Sequence, residues 1–354
     1  MAVTHCLLVA TVLLFVEAWQ MSTVERVRVQ DFDAATYYRN GPKPLLISNV
    51  VSPDECEYCS DTLVSLSSEL LVDLQNQSEE GTEIFHLSLE EALDAILYES
   101  NSQNAYMTFC EGLLESMESL KSVRRLVTQA KEGLFEDDPD WFTSYFPRDL
   151  QPSDAVVIAG AGATSTLHRD PFEWTGTSLC IEGSKIWRFI DPISNVHAID
   201  ESLKSYRLDS IAWEGASQSA GWQSDESLFR TRNHDLLISA QEWSETQHNK
   251  RAKLLQVGSS TDILTPGPNL ELSMRTAVQE VGDLLLIPAH WWHQTYALEP
   301  SAAVASQRCG NHDAVQVLQH ILDHKCVQST DAKAILDRYS DPASALDAVL
   351  LRMN

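Results

Sequence analysis

Short apolar runs separated by turn residues dominate the second half of the chain. The runs DAVVIAGAG (154–162), GDLLLIP (282–288) and SAAVASQ (301–307) are bounded by Gly, Pro and Asp, a pattern typical of β-strands. The segment SLCIEGSKIWRFIDP (178–192) predicts two strands joined by a turn at Gly183. No regular helical pattern separates these runs, as a parallel βαβ sheet would require. The pattern therefore predicts an antiparallel sandwich or barrel.

The first third of the chain has a different pattern, which predicts mostly helices. Residues 24–50 form a short lead in which KPLLISNVV (43–51) predicts a strand. From Ser52 to about Lys131 the apolar spacing turns helical, with Ser52 as an N-cap and acidic residues in the first turn. The three predicted helices lie in SPDECEYCSDTLVSLSSELLVDL (52–74), SLEEALDAILYES (88–100) and YMTFCEGLLESMESLKSVRRLVTQAKEG (106–133).

Two further segments complete the organisation. A long polar insertion at about 194–275 interrupts the strands, and insertions of this length are usually functional or disordered. After it the pattern of short amphipathic helices returns, and their apolar faces could join two copies of the chain or pack on the barrel. The predicted division of the chain is 1–20, a targeting segment; 21–135, a strand and helical region; 136–310, the barrel; and 311–354, C-terminal helices.

The first twenty residues carry the apolar run CLLVATVLLFV (6–16), followed by VEA. This pattern predicts a secretory signal peptide, and the run is too short for a comfortable membrane span. No Lys or Arg precedes the run, and Met21 begins a segment that resembles the start of a soluble protein. The expected location is the secretory pathway or the extracellular space, or the cytoplasm if Met21 is the true start.

The charge balance narrows the possible partners. The chain has 25 basic and 51 acidic residues, which gives a formal net charge of −26. Such a chain repels phosphate backbones, so nucleic acid is not an expected partner. A basic protein or a small molecule remains compatible with this charge.

Seven cysteines are too few for a disulfide scaffold in a chain of 354 residues. Cys56 and Cys59 form a C-x-x-C pair without the second pair that a zinc site would need. A redox role would require the pair to open a helix after a strand. A disulfide at the start of a helix or two plain thiols are the simpler interpretations.

A histidine and an aspartate two residues apart lie in STLHRDPFEW (165–174). With 11 histidines and 51 acidic residues in 354 positions, chance alone gives about 1.6 such pairs. In a strand, however, His168 and Asp170 would face the same side and could reach one metal ion. A third candidate, His293, comes 125 residues after His168 in GDLLLIPAHWWHQ. His290 would point away from it in a strand, so we expect His290 on the rim or surface.

Two histidines and one carboxylate form a facial triad that leaves metal positions open, which suits Fe(II) chemistry with O₂. The segments LHRDP, Lys185 seventeen residues after His168, and GDLLLIPAHWWHQ together resemble the Jumonji C, cupin-type Fe(II)/2-oxoglutarate oxygenases, in particular the small hydroxylase branch. The resemblance covers roughly 24–50 and 140–310. It implies an α+β fold, a double-stranded β-helix (cupin or jelly-roll barrel) with an N-terminal helical region and C-terminal helices.

The resemblance also implies roles for individual residues. The residues that match the iron ligands are His168, Asp170 and His293. Lys185 matches the basic residue that pairs with the far carboxylate of 2-oxoglutarate. Ser165 and Ser306 match hydroxyl positions beside this cosubstrate, although the family favours Thr at the first. The implied cofactors are Fe(II), 2-oxoglutarate and O₂.

Three functions remain possible from the sequence. The first is an oxygenase that hydroxylates or demethylates a protein or peptide side chain and releases succinate and CO₂. The second is a catalytically inactive cupin that serves protein interaction, although a scaffold needs neither the complete triad nor Lys185. The third is a cupin that uses another metal without 2-oxoglutarate, in which Lys185 would have no role.

Overall fold

The computed structural model confirms a mixed α+β architecture with two large β-sheets. The predicted targeting segment 1–20, most of the insertion and almost all of the C-terminal segment lie outside the residues that it describes. The described residues are 21–64, 66, 70–78, 81–101, 103–145, 152–165, 167–170, 174–190, 257–259, 274–314 and 317.

The larger sheet has nine strands, and its centre is formed by apolar runs that the sequence predicts as strands. Neighbouring strands are antiparallel except β2 and β3, which run parallel. In spatial order the strands are β2 (Glu25–Arg28), β3 (Leu45–Ser48), β13 (Leu284–Ile287), β9 (Thr175–Glu182), β15 (Ser301–Arg308), β7 (Ala155–Ala159), β6 (Ala105–Glu111), β4 (Leu71–Ser78) and β5 (Gly81–Ser88).

The smaller sheet has six strands and faces the larger one. The predicted turn at Gly183 is confirmed and joins β9 of the larger sheet to β10 (Lys185–Ile190) of the smaller one; Gly183 has a φ of 66°, and a Cβ there would collide with the carbonyl oxygen of Pro300. In spatial order the strands are β1 (Met21–Thr23), β12 (Met274–Gln279), β10 (Lys185–Ile190), β14 (Trp292–Ala297), β8 (Leu167–Arg169) and β11 (Val257–Ser259).

Helices cover the outer face of the nine-stranded sheet. Ser52 is the predicted N-cap of one of them, since its hydroxyl accepts from the backbone N–H of Glu55 and the Glu55 carboxylate accepts in return. The helices are α1 (Ala34–Arg39), α2 (Pro53–Val64), α3 (Leu89–Asp94) followed by a π-helical turn (Ala95–Glu99), α4 (Leu113–Ser116), α5 (Lys121–Leu134) and α6 (Trp141–Tyr145), with 3₁₀ turns at Val29–Asp31 and Glu118–Leu120. No helix of the described residues is long and apolar enough to cross a membrane.

The prediction of a mostly helical segment between residues 52 and 131 is wrong at the end of the first predicted helix and at the start of the third, where β4 and β6 form, and β5 lies between the first two predicted helices. Strands β4, β5 and β6 lie inside this segment and extend the nine-stranded sheet. The segment LVDLQNQS of β4 alternates, with Val72 and Leu74 buried in the helix-covered core and the residues between them on the other face. Strand periodicity and sheet pairing therefore override the helix-forming residues around it.

Hydrophobic cores of the described residues form on both faces of the nine-stranded sheet, and two of them bear on the position of the site. The larger lies between the helices and the outer face of the nine-stranded sheet, where Leu74, Val156, Leu179 and Val304 alternate with residues that face inward. The smaller lies between the two sheets and includes Trp187 and Phe189 of β10 together with strand β13. Polar side chains that face inward from both sheets would therefore meet in the space between the sheets.

A buried polar cluster, here called the Arg308 network, closes one end of the nine-stranded sheet. The Arg308 guanidinium donates to the hydroxyl of Tyr38 at 3.0 Å and to the carboxylate of Asp138 at 2.7 Å. The Tyr38 hydroxyl lies 3.1 Å from that of Thr175, which donates to the carboxylate of Asp313 at 2.9 Å. Each charged group of this cluster has a hydrogen-bond partner within the chain. Burial nevertheless raises the pKa of Asp313 to about 7.

Candidate metal centre

Two neighbouring strands of the six-stranded sheet bring the two predicted histidines together. His168 in β8 is paired with His293 in β14, and Phe189 of β10 continues the same row. The imidazole rings are 4.2 Å apart between centroids, and both side chains are buried. Because paired residues share a face of a sheet, both rings point into the space between the sheets.

Asp170 follows directly after β8, on the same face as His168 two residues earlier. Its Oδ1 lies 3.9 Å from Nε2 of His293, and one ligand atom from each of the three residues lies within 4.8 Å of the others. Gly176 makes room for this carboxylate, since a Cβ there would lie 2.8 Å from Asp170 Oδ2. Burial raises the pKa of Asp170, and the neighbouring His168 opposes that rise.

The His293 ring is held in one tautomer. Its Nδ1 lies 3.0 Å from the carbonyl oxygen of Trp291, which can only accept, so Nδ1 carries the proton. Nε2 is then left with a lone pair and faces Asp170. Burial lowers the pKa of His293 to about 4, so the ring is neutral near pH 7. A neutral imidazole oriented by a backbone carbonyl is the usual form of a metal ligand.

Lys185 lies at the start of β10, on the face that carries Trp187 and Phe189 and opens into the same pocket. Its side chain is buried with a residue exposure of only 4%, and burial lowers the pKa of its ammonium group. In the part of the chain that the structure describes, no carboxylate lies within ion-pair distance of this ammonium. A buried cation without an anionic partner is costly, so an anionic ligand would relieve that cost.

The two predicted serines differ in their geometry. Ser165 lines the pocket, and its Oγ accepts from the backbone N–H of Thr295 at 2.8 Å, which leaves its hydroxyl proton free to donate. Ser306 also borders the pocket, and its buried Oγ has no hydrogen-bond partner. Strand alternation puts Ser306 and Gln307 on opposite faces of β15, and both residues line the pocket. The predicted contacts of Ser165 and Ser306 with a cosubstrate stay predictions.

A pocket of about 90 Å³ lies between the two sheets and joins these groups. Its walls include three residues of β4 and β6, in the segment predicted as mostly helical, namely Gln75, Met107 and Phe109. The polar and apolar alternation of LVDLQNQS was the signal that could have identified Gln75 as a residue on one face of a strand. Strands β4 and β6 therefore form part of the pocket wall as well as extending the nine-stranded sheet.

A buried glutamine fixes the aromatic wall of the pocket. Gln279 accepts from the indole N–H of Trp187 at 2.8 Å and donates to the backbone carbonyls of Ser178 and Asp283 at 2.7 and 3.0 Å. Trp187 stacks on Phe189 and lies 5.9 Å from the His293 ring between centroids. The tryptophan thus packs in the core and lines the site at the same time.

Two other sequence candidates lie outside the centre. His290 adopts a left-handed turn conformation with a φ of 66° and is partly exposed, in agreement with its predicted place on the rim. Cys56 and Cys59 are free, buried thiols in α2. Burial raises the pKa of Cys56 to about 12 and that of Cys59 in the same direction, which favours inert thiols over redox chemistry.

The sequence model of the cupin-like domain family matches residues 41–306, about three quarters of the chain. The chain therefore belongs to this family of Jumonji C-type cupin-like domains, and the predicted family and cupin-type fold are confirmed. A search among curated proteins finds no match. Family membership and the buried cluster of two histidines and one aspartate together define a candidate metal centre within a cupin fold.

Proposed function

We propose that this protein is an Fe(II)- and 2-oxoglutarate-dependent oxygenase that hydroxylates or demethylates a protein side chain. The observation that carries the proposal is the ammonium group of Lys185, which is buried without a carboxylate partner among the described residues and shares a pocket with the three candidate ligands. Metal binding alone would explain the ligands. The unpaired cation calls for a separate anion in the same pocket.

The donor set fits a metal ion with open positions. His168, Asp170 and His293 offer two nitrogen atoms and one oxygen atom from one side of the pocket. Three protein ligands leave vacancies for a cosubstrate and O₂, which is the arrangement of non-haem Fe(II) oxygenases. A closed structural zinc site would need a fourth protein ligand, and the described residues supply none within the cluster.

The remaining groups fit a dicarboxylate. Lys185 would hold the far carboxylate of 2-oxoglutarate, and the free hydroxyl proton of Ser165 could donate to it. When bound, iron and 2-oxoglutarate supply the oxidising chemistry, in which O₂ is consumed, succinate and CO₂ are released and the substrate is oxidised. The chain orients His293 through the Trp291 carbonyl, and Trp187 would help to keep water from the bound groups as part of the pocket wall.

A protein or peptide is the substrate we propose, because the chain is strongly acidic and carries no feature that favours nucleic acid. The secretory location and the dimer through the C-terminal helices concern residues outside those described, and both stay predictions. Neither is needed for the chemistry proposed at the metal centre.

The proposal is tested by anaerobic titration of the full chain with Fe(II) and then 2-oxoglutarate, with metal content measured alongside the visible charge-transfer band. We expect one tightly bound iron per chain and a band that appears only with 2-oxoglutarate. His168→Ala should lose both, because it removes one of three ligands. His86→Ala, an exposed histidine outside the pocket, is the matched control and should keep both.

Two results would contradict the proposal. Iron bound without a 2-oxoglutarate band would favour a cupin that uses its metal in another way. No bound metal in the wild-type protein would favour a cupin that serves only protein interaction.

A further inference from the structure

One segment of the chain has an unusually one-sided charge. Between residues 44 and 120 there are 16 Asp and Glu residues and no Lys or Arg. This segment alone accounts for a charge of −16 in a chain whose net charge is −26. It includes β4, β5 and β6, which contain Asp73, Glu83 and Glu111 and no Lys or Arg, so the outer end of the nine-stranded sheet carries acidic residues without basic ones.

Strand β5 ends the nine-stranded sheet with an apolar edge. Among the described strands none pairs with its outer side, so the backbone groups on that side have no strand partner. Ile84 and Phe85 point to opposite faces and are 43% and 40% exposed. The strand contains neither Lys nor Pro, which often protect such edges from pairing.

The same hairpin reaches the metal pocket. Gln75 of β4 lines the pocket and is the direct neighbour of Ile84 in β5. Two residues further along β4, the Gln77 side chain accepts from the backbone N–H of Thr164 at 2.7 Å, four residues before His168. Because neighbouring strands are about 4.8 Å apart, a strand added beyond β5 would lie about two strand spacings from a residue that lines the pocket.

We propose that the outer edge of β5 docks a basic polypeptide in an extended conformation, as an additional strand of the sheet. Backbone hydrogen bonds would supply part of the affinity, and alternate side chains would meet Ile84 on one face and Phe85 on the other. Lys or Arg side chains would complement the acidic surroundings, including the exposed Glu83 within the strand.

Charge distinguishes this partner from a second copy of the chain. Two β5 edges brought together would face each other with the same negative charge, which disfavours association. A basic polypeptide has the opposite charge and meets no such repulsion. The role of the docked chain as substrate rests on the proposed function, but docking itself needs no metal and can be measured separately.

The test is fluorescence anisotropy of the full-length, metal-free protein with a labelled synthetic peptide in which Lys alternates with Val. We expect saturable binding that weakens as salt is raised. A peptide with Glu in place of Lys should not bind, and one N-methylated on alternate residues should bind about tenfold more weakly, because it cannot complete the strand pairing.

Two variants and a control locate the binding surface. Glu83→Lys in β5 and Ile84→Thr, which keeps the charge, should each weaken binding about tenfold. Glu57→Lys makes the same charge change at an exposed site on α2 and should leave binding nearly unchanged. Circular dichroism checks folding, and Ile84→Thr carries the test if Glu83→Lys does not fold.

Other outcomes would overturn the docking proposal. Equal weakening by Glu83→Lys and Glu57→Lys, or full binding of the N-methylated peptide, would indicate diffuse electrostatic attraction. A dimer in sedimentation that Ile84→Thr dissolves would assign the edge to a second copy. His168→Ala should bind the peptide like the wild type, so failure of the metal chemistry and failure of docking give different results.

Discussion

The metal pocket and the Arg308 network are both buried, polar and attached to the same nine-stranded sheet, yet they differ in how their charges are matched. In the network the guanidinium of Arg308 contacts the carboxylate of Asp138 and the hydroxyl of Tyr38. In the pocket the ammonium of Lys185 has no carboxylate within reach in the described residues. The charged groups of the network are matched by one another, whereas the ammonium in the pocket has no carboxylate partner among the described residues.

Buried charges indicate function when the chain itself does not supply their partners. A buried ion with internal partners contributes to the folded structure and is destabilising only when one partner is removed. A buried ion without a partner lowers stability and persists where a ligand or a reaction needs it. Burial and charge alone would not have distinguished the metal pocket from the Arg308 network as a candidate functional site.

The largest expected effect is on the network. Arg308→Met would leave the partly buried Asp138 without its cation and remove a donor to Tyr38. We expect the free energy of unfolding to fall by about 3 kcal/mol, as for other buried pairs that lose one partner. Denaturant unfolding followed by circular dichroism measures this change. A loss close to zero would show that the network does not stabilise the fold.

The pH dependence of stability gives the next largest effect. Burial raises the pKa of Asp313 from 3.8 to about 7, so between these values the folded state binds more protons than the unfolded state. This group therefore stabilises the fold at low pH, and its contribution is lost as pH rises toward 7, by at most about 1.4 kcal/mol per pH unit. Asp313→Asn should remove this part of the slope in unfolding measured at several pH values. If the free energy of unfolding of Asp313→Asn changed with pH as in the wild type, Asp313 would not be the group responsible.

The smallest effect on stability is expected in the pocket. Lys185→Met removes a buried charge that has no carboxylate partner among the described residues, so the free energy of unfolding should stay the same or rise by about 1 kcal/mol. The same change should abolish the 2-oxoglutarate band while iron still binds. Lys185→Arg, which keeps the charge, is the matched variant. A loss of stability as large as that of Arg308→Met would reveal an internal partner and remove the contrast between the two clusters.

The sequence predicted the centre better than its surroundings. Two-residue spacing in a strand was enough to place His168 and Asp170 on one face, and the strands around them were evident from apolar runs. His293 lies more than a hundred residues after His168 and Asp170 in the sequence. The family resemblance, and not a local pattern, indicated that its strand lies beside theirs. Pairing between distant strands depends on tertiary packing, which no local pattern reports.

The strands β4 to β6 were harder to predict than the centre. They lie among acidic and helix-forming residues, and only their pairing with one another and with β7 fixes them as strands. Such pairing depends on residues distant in the sequence, so the helix-forming residues around these strands gave the wrong local signal.

The hydrogen bond from His293 Nδ1 to the Trp291 carbonyl also determines the proton balance of metal uptake. Because the proton stays on Nδ1 and the pKa of the ring is about 4, Nε2 is already bare near neutral pH. A metal ion that binds this nitrogen would therefore displace no proton from His293. In calorimetry, the heat of metal binding would then contain no contribution from His293 that changes with the ionisation enthalpy of the buffer. Protons begin to compete with the metal for this nitrogen only in acid.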